Sequence, residues 1–285
     1  MTAFGTFSSD YPAIQRANRK QIISGASNSS LVTARKLSDR VNFDRGYIRE
    51  SFQIQPIATA DDGGGATTGA TGDVNLLLFP HSMFEYAILG AGQTIKTPVF
   101  TSAGLNIAGD QVATEGFELT NGITTRCAQK CVIGTNVARI VVRFNIADAS
   151  GTSPFFLGYR KVQAYATALA TYTDFAGFNL VSGTLNVSRQ TATGGVVSTD
   201  SGVTVADNDY VQIQVDIGKG GICQFRAIAS AVQPTATDLT KVVAPLNIGY
   251  TFTSGLEVIP SIFMLQGADL SGDINMTYYE AGNLV

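Results

Sequence analysis

The chain reads as all-β: an antiparallel β-sandwich preceded by a partly helical or extended N-terminal arm. Three observations predict this. Apolar and polar residues alternate with a period of two over short runs, most clearly at 137–146 and 210–217. Asn-Gly, Ser-Gly and Gly-Gly pairs separate the runs, as tight turns require. The composition has 30 glycines, no tryptophan and abundant Thr and Val, which suits turns and pleated surfaces.

Taken in order, the elements begin at Asp10-Tyr11-Pro12, where Pro12 suits the first position of a helix. The segment AIQRANRKQIIS extends that helix to Ser24, and Gly25 stops it. Residues 29–49 are polar and basic, with isolated apolar anchors at Leu31, Val32, Leu37, Val41, Phe43 and Tyr47. Such anchors suit an arm laid over a partner better than a core of its own. The Gly/Thr-rich run ATADDGGGATTGATG reads as a linker or long loop. Asp61 and Asp62 within it match no EF-hand spacing. The organisation is therefore an attachment arm over 1–57, a linker over 58–73 and a sandwich domain over 74–285.

Within that domain, the apolar run 74–79 is a strand ended by Pro80, and 82–89 reads as a short helix. At 115–120, Phe117 and Leu119 share one face and Glu118 and Thr120 the other. At 137–146, Ala138, Ile140, Val142, Phe144 and Ile146 face inward. At 210–217, Val211, Ile213, Val215 and Ile217 face inward and Gln212, Gln214 and Asp216 outward. Leu185/Val187, Cys223/Phe225/Ala227 and Ile274/Met276/Tyr278 mark further strands. The Ala-rich RKVQAYATALAT at 160–171 predicts one helical interruption. Many short strands with turn signals between them argue for two packed sheets.

Composition narrows the function. Charged residues make up only 14% of the 285, against about a quarter in ordinary soluble proteins. A surface so poor in charge suits a protein packed against neighbours, and a β-rich domain coated in Ser, Thr, Asn and Gln gives the same figure. Charge is also uneven. Residues 1–50 carry Arg16, Arg19, Lys20, Arg35, Lys36, Arg40, Arg45 and Arg49 against four acidic residues, while the remainder is net acidic. A basic arm on an acidic body fits docking on a negative surface. An acidic protein shell suits it better than nucleic acid, because interleaved aromatics are missing; a solvated basic helix is the plainer reading. Those eight residues are the candidate partner-binding set.

Catalytic and metal motifs are weak. Cys127 and Cys131 form CAQKC, but zinc would need two more ligands, and His81 and Cys223 are the only other soft donors. Three cysteines argue against a disulfide framework. Glu115, Glu118, Asp148 and Asp174 are carboxylates without a paired glycosidase motif. His81 lacks a G-x-S-x-G partner, and Gly63-Gly64-Gly65 lacks the Gly-Lys-Ser/Thr of a P-loop. Asp207-Asn208-Asp209 fits a turn before a strand better than a calcium or sugar site. No secretion signal is expected from residues 1–10, and no apolar run reaches the about 18 residues of a membrane span. No enzyme activity, cofactor or metal is expected.

A block from 102 onward carries a family resemblance. Its segments are Gly104-Leu-Asn-Ile-Ala-Gly-Asp-Gln111, Glu115-Gly-Phe-Glu-Leu119, Phe144-Asn-Ile-Ala-Asp148, Gly158-Tyr-Arg-Lys161 with Ala164-Tyr165, and Tyr172-Thr-Asp-Phe-Ala176. In order and spacing they resemble virion structural proteins of tailed phages, especially those of marine bacteria. The resemblance covers about the last two-thirds of the chain. It implies a concanavalin-like jelly roll and a head decoration, cement or fibre-like role, with no active-site residues to carry over. The expected partners are the major capsid protein and other copies of the chain, as a dimer or trimer, with no nucleic acid and no membrane. The expected location is the capsid surface of a virion, after synthesis in the host cytoplasm. A tail, neck or fibre component that binds a host glycan is the alternative.

Overall fold

The computed structural model describes residues 47–50, 58–61, 74–78, 83–90, 98–107, 113–121, 130–152, 154–192, 194–234, 249–267 and 272–284. The expected helix at 12–24 lies outside them. The chain divides into Met1–Arg45 and Gly46–Val285, and all described residues belong to the second unit.

That unit is an antiparallel β-sandwich. One sheet contains β1 (Tyr47–Glu50), β5 (Val99–Thr101), β6 (Gly104–Asn106), β9 (Val137–Ile146), β14 (Tyr210–Ile217), β15 (Cys223–Ser230) and β17 (Ile274–Leu284). Its strands run β15-β14-β9-β17-β6-β5, with β1 beside the far half of β17. The other contains β2 (Ala58–Asp61), β3 (Val74–Leu78), β4 (Met83–Gly90), β7 (Glu115–Thr120), β8 (Cys131–Val132), β10 (Phe155–Lys161), β11 (Phe175–Val181), β12 (Thr184–Gln190), β13 (Val197–Thr204) and β16 (Glu257–Leu265). Its order is β13-β12-β11-β10-β16-β7-β4-β3-β2, with β8 also on β16. Among the described residues these are sheets of seven and ten strands, and both are antiparallel throughout. The antiparallel β-sandwich read from the period-two runs is thus the architecture observed.

The core lies between the sheets and is built from the expected alternation. Ala138, Ile140, Val142, Phe144 and Ile146 of β9 and Val211, Ile213, Val215 and Ile217 of β14 are all buried within it. Facing them are Phe117 and Leu119 of β7, Phe155 and Leu157 of β10, and Phe178 and Leu180 of β11. Aromatic rings cross the interlayer edge-on: Phe84 on Tyr279, Phe144 on Phe155, and Phe178 on Phe225, at centroid separations of 4.9, 5.2 and 5.8 Å. Each such pair adds about 0.5–1.5 kcal/mol beyond area burial and fixes how the sheets face each other.

Five expectations differ from the structure. Within the segment read as a helix at 82–89, residues 83–89 belong to strand β4, because Phe84, Tyr86 and Ile88 enter the core while Glu85, Ala87 and Leu89 on the opposite face are buried too. With both faces covered, alternation disappears from the sequence. At 160–171, β10 continues to Lys161 and the only helical turn is the 3₁₀ segment η1 (Leu169–Thr171), whose Ala168 supplies no side-chain cap. Tyr47–Glu50 and Ala58–Asp61, within the segments read as arm and linker, are strands. Gln212 and Gln214 point away from the core yet are 0% and 4% exposed, so the outer face of β14 is not a wet one. Finally, the register of β17 shifts between Met276 and Tyr278. This bulge reverses the parity, so that Ile274 and Met276 are followed in the core by Tyr279 and Ala281, and Tyr278 turns outward.

Candidate functional site

The candidate partner-binding residues divide at the edge of the described structure. Arg16, Arg19, Lys20, Arg35, Lys36, Arg40 and Arg45 lie outside the described residues. Arg49 lies on β1, at the register position opposite Glu280 of β17. The described chain opens at Tyr47 with β1, which pairs antiparallel with β17.

The outer face of that sheet is polar and cross-tied. The Arg139 Nε donates to Asp216 Oδ1 at 2.6 Å, and Arg226 Nη1 lies 3.8 Å from Asp216 Oδ2. Arg143 Nε donates to Gln212 Oε1 at 2.6 Å, and its guanidinium sits 4.9 Å above the Tyr278 ring. The Tyr278 hydroxyl donates to Glu280. Burial pushes the Glu280 carboxyl up to about 7. Arg139 and Arg226 keep about a third of their side chains in solvent, at 33% and 31%, so this face presents partly exposed guanidinium groups.

The outer face of the ten-strand sheet is built differently. A row runs across it through Glu85, Thr120, Ser261, Gly158, Gly177, Ser188 and Ser198, each opposite the next. A Cβ on Gly158 would strike the backbone of Ala176 and Gly177 and approach the Phe156 ring, so glycine is needed for this close approach. Small residues leave room for the long ones beside them. Over Ser261, Arg160 of β10 reaches Glu118 of β7, and the two form an ion pair with neither side chain exposed. Ser261 Oγ donates to Glu118 Oε1 at 2.6 Å, and the Tyr172 hydroxyl donates to Oε2. Arg160 Nη1 donates to the Lys161 and Gln163 carbonyls at 2.9 and 3.0 Å, and the guanidinium packs 4.4 Å from the Tyr172 ring centroid. Burial, the largest single influence, works to lower the Arg160 pKa, but the charge and hydrogen bond of Glu118 together with Tyr172 and Tyr165 turn the net direction upward.

Residues 162–174 cover this pair. Tyr165 donates to Glu85 at 2.7 Å and shares a hydrogen bond with Thr120 at 3.0 Å, and the Ala166 amide donates to the Tyr172 hydroxyl at 3.0 Å. Burial, first, and then the nearby carboxylates push both tyrosines well above the ordinary phenol range. Leu169, Tyr172, Leu89, Phe156, Phe175 and Phe263 form a second, smaller apolar cluster around the network. Sequence reasoning named Glu118 but missed Arg160, Tyr165, Tyr172, Glu85 and Ser261. No local spacing connects residues 42 and 54 positions apart, as Glu118 is from Arg160 and Tyr172.

The other motifs resolve locally. Asp207 Oδ1 accepts the Ala149 and Ser150 amides at 2.8 and 3.1 Å, Asp209 Oδ2 accepts the Ala206 amide at 2.9 Å, and Asn208 has a φ of 67°. These carboxylates cap turns, as the plainer reading expected. Asp148 Oδ1 accepts the Gly151 amide at 2.7 Å. Cys131 and Cys223 are buried free thiols, and burial raises the Cys131 pKa to about 11. Cys127 and His81 lie outside the described residues. Among the described residues no group of three or more His, Cys, Asp or Glu could hold a metal ion.

No family model matches the chain, and no curated protein does. Solved structures with a similar outline include a legume lectin-like domain from Entamoeba histolytica, at 7% identity and a TM-score of 0.47 over 70% of this chain and 90% of that one. A protein of unknown function from Shewanella oneidensis aligns over 90% of this chain and 96% of its own, at 9% identity and a TM-score of 0.45. The CBM2 module of the evolved Dit from Lactobacillus casei phage J-1 aligns over 84% and 97%, at 9% identity and 0.41.

Proposed function

We propose that this chain is a non-enzymatic structural protein of a tailed-phage virion, a decoration or cement protein that adheres to the outer head shell through its basic N-terminal segment. The observation that carries the reading is the seat of β1. A basic segment of the sequence runs directly into a strand paired with β17 at Tyr47–Gly282 through Glu50–Tyr279. A segment joined this way would pass a load on the arm into sheet hydrogen bonds instead of into a flexible tether. The sandwich supports the same reading, because both of its outer faces are cross-tied by arginine, carboxylate and tyrosine side chains. The phage-like segments of the sequence and its low charge content point the same way.

The proposed mechanism is adhesion to an acidic shell of major capsid protein, with a stable attachment burying on the order of 1,000 Å² or more per copy. The test is binding of the full chain to phage heads that lack it. Replacing Arg16, Arg19, Lys20, Arg35, Lys36, Arg40 and Arg45 together by Glu should abolish decoration while leaving the unfolding midpoint unchanged. Wild-type occupancy by that variant would refute attachment through the arm. A copy number per virion far below that of the major shell protein would place the chain in the neck, tail or a fibre. Binding to host glycans without binding to heads would favour a receptor-binding module.

A further inference from the structure

The β13 edge of the ten-strand sheet is protected along one half and open along the other. Strand β13 is the terminal strand of that sheet and pairs with β12 alone among the described residues. At its C-terminal half the register shifts where Leu185 meets Val203 and Asn186 meets Asp200, which bulges Ser201 and Gly202 out of the ladder. There the chain satisfies its own amides: Gly202 N–H donates to Asp200 Oδ1 at 2.8 Å and Val203 N–H to Ser201 Oγ at 3.2 Å. Bulges and side-chain caps are how natural edges avoid pairing.

The half running from Val196 to Asp200 has none of these devices. It contains no Lys, Arg or Pro, and its single charge is Asp200. Val196 and Val197 are 41% and 47% exposed. Opposite Arg189 and one step from the Thr199–Val187 pair, Val197 has the parity of the interlayer face, so it stands at an open rim of the core. Ile222, 56% exposed, belongs to the same end of the sandwich. Tyr250 connects the two: its carbonyl accepts the Cys223 amide at 2.9 Å, and its hydroxyl donates to the Gln190 carbonyl at 2.8 Å. Three of the four large apolar side chains exposed among the described residues thus lie at the end of the sandwich that holds this unprotected stretch of edge.

We propose that this edge is a self-association site, where β13 of a second copy of the chain pairs antiparallel with it and continues the ten-strand sheet across a two-fold axis. Antiparallel pairing opposes residues whose amides point the same way, so the axis must pass through a residue rather than between two. Ser198 is the centre of the open run. With the axis there, Val197 faces Thr199 of the second copy and Val196 faces Asp200. The two Asp200 side chains are therefore not opposed, and the absence of other charge leaves nothing to repel an identical strand. A shell protein of different sequence would not be matched in this way automatically.

Sedimentation of the full chain, without particles, tests this independently of any virion role. The wild type should form a dimer between about 1 and 100 μM, the range expected for a small edge-to-edge interface. Val197→Lys, at an exposed site, should weaken the dimer by about tenfold or more with its unfolding midpoint unchanged. Val232→Lys, at a position 74% exposed beyond the other end of β15, should leave it intact. Ser198→Cys should cross-link to its own copy on oxidation, beyond any cross-linking of the wild type, because only a residue on the axis meets itself. A wild type that stays monomeric throughout, or a dimer indifferent to Val197→Lys, would overturn the proposal. A monomer whose Val197→Lys variant loses head binding would also overturn it, by assigning the edge to a shell protein.

Discussion

The two outer faces of the sandwich use the same residues to different ends. On the seven-strand sheet Arg139 meets Asp216 with a third of its side chain in water. On the ten-strand sheet Arg160 meets Glu118 with none of either side chain in water, beneath residues 162–174. An exposed pair loses to solvent most of what it gains. A buried pair has already given up its hydration, and if either partner is removed the other is left charged in an apolar site. The cover segment, not the choice of residues, decides how much each pair matters.

The largest effect should come from Glu118→Ala, which leaves Arg160 buried and unpaired and costs about 3–5 kcal/mol in urea unfolding. The double variant Glu118→Leu with Arg160→Met should recover most of that loss, and failure to do so would mean the pair does more than satisfy itself. Tyr172→Phe removes one donor to Glu118 and the acceptor of the Ala166 amide, and should cost about 1–3 kcal/mol by the same measurement. On the other face, Arg139→Ala should cost less than about 1 kcal/mol, an effect that rising salt shrinks further.

Glu280, on the outer face of the seven-strand sheet, responds to pH. Its folded pKa is about 7, above the ordinary 4.5. Between those values the folded chain holds a proton that the unfolded chain has released, so this group favours folding at low pH and loses that contribution as pH rises from 4.5 to 7. Glu280→Gln should flatten that part of the curve of stability against pH. An unchanged curve would show that the carboxyl is not held neutral.

How much of this was legible follows from where water lies. Strands β9 and β14 declared their inward faces because alternation is a local signal, and Phe117 and Leu119 did the same for β7. Strand β4 did not, since Leu89 on its outer face is covered as fully as Phe84 on its inner one. Gln212 and Gln214 read as outward, and the burial of Glu118 was not legible, because a polar residue looks the same in sequence whether water or protein lies above it. The bulge in β17 left no mark either, so Tyr278 and Tyr279 exchanged faces. The Ala-rich stretch at 160–171 has high helix propensity, but Arg160, Gln163 and Tyr172 hold it flat on the sheet. The turn at Asp207–Asp209 was readable because its carboxylates cap amides close by in the chain as well as across to Ala149.

The position of β17 has a consequence for synthesis. The last strand in chain order lies inside the seven-strand sheet, along the whole of β9 and beside both β6 and β1. Until the ribosome has made it, β9 lacks one neighbour and β1 has nowhere to pair. At about 5–20 residues per second that wait lasts roughly tens of seconds, during which the nascent chain has open strand edges for chaperones to shield. The sandwich closes only once this strand has emerged, so a chain still on the ribosome short of β17 does not yet have β1 seated at the end of its basic segment.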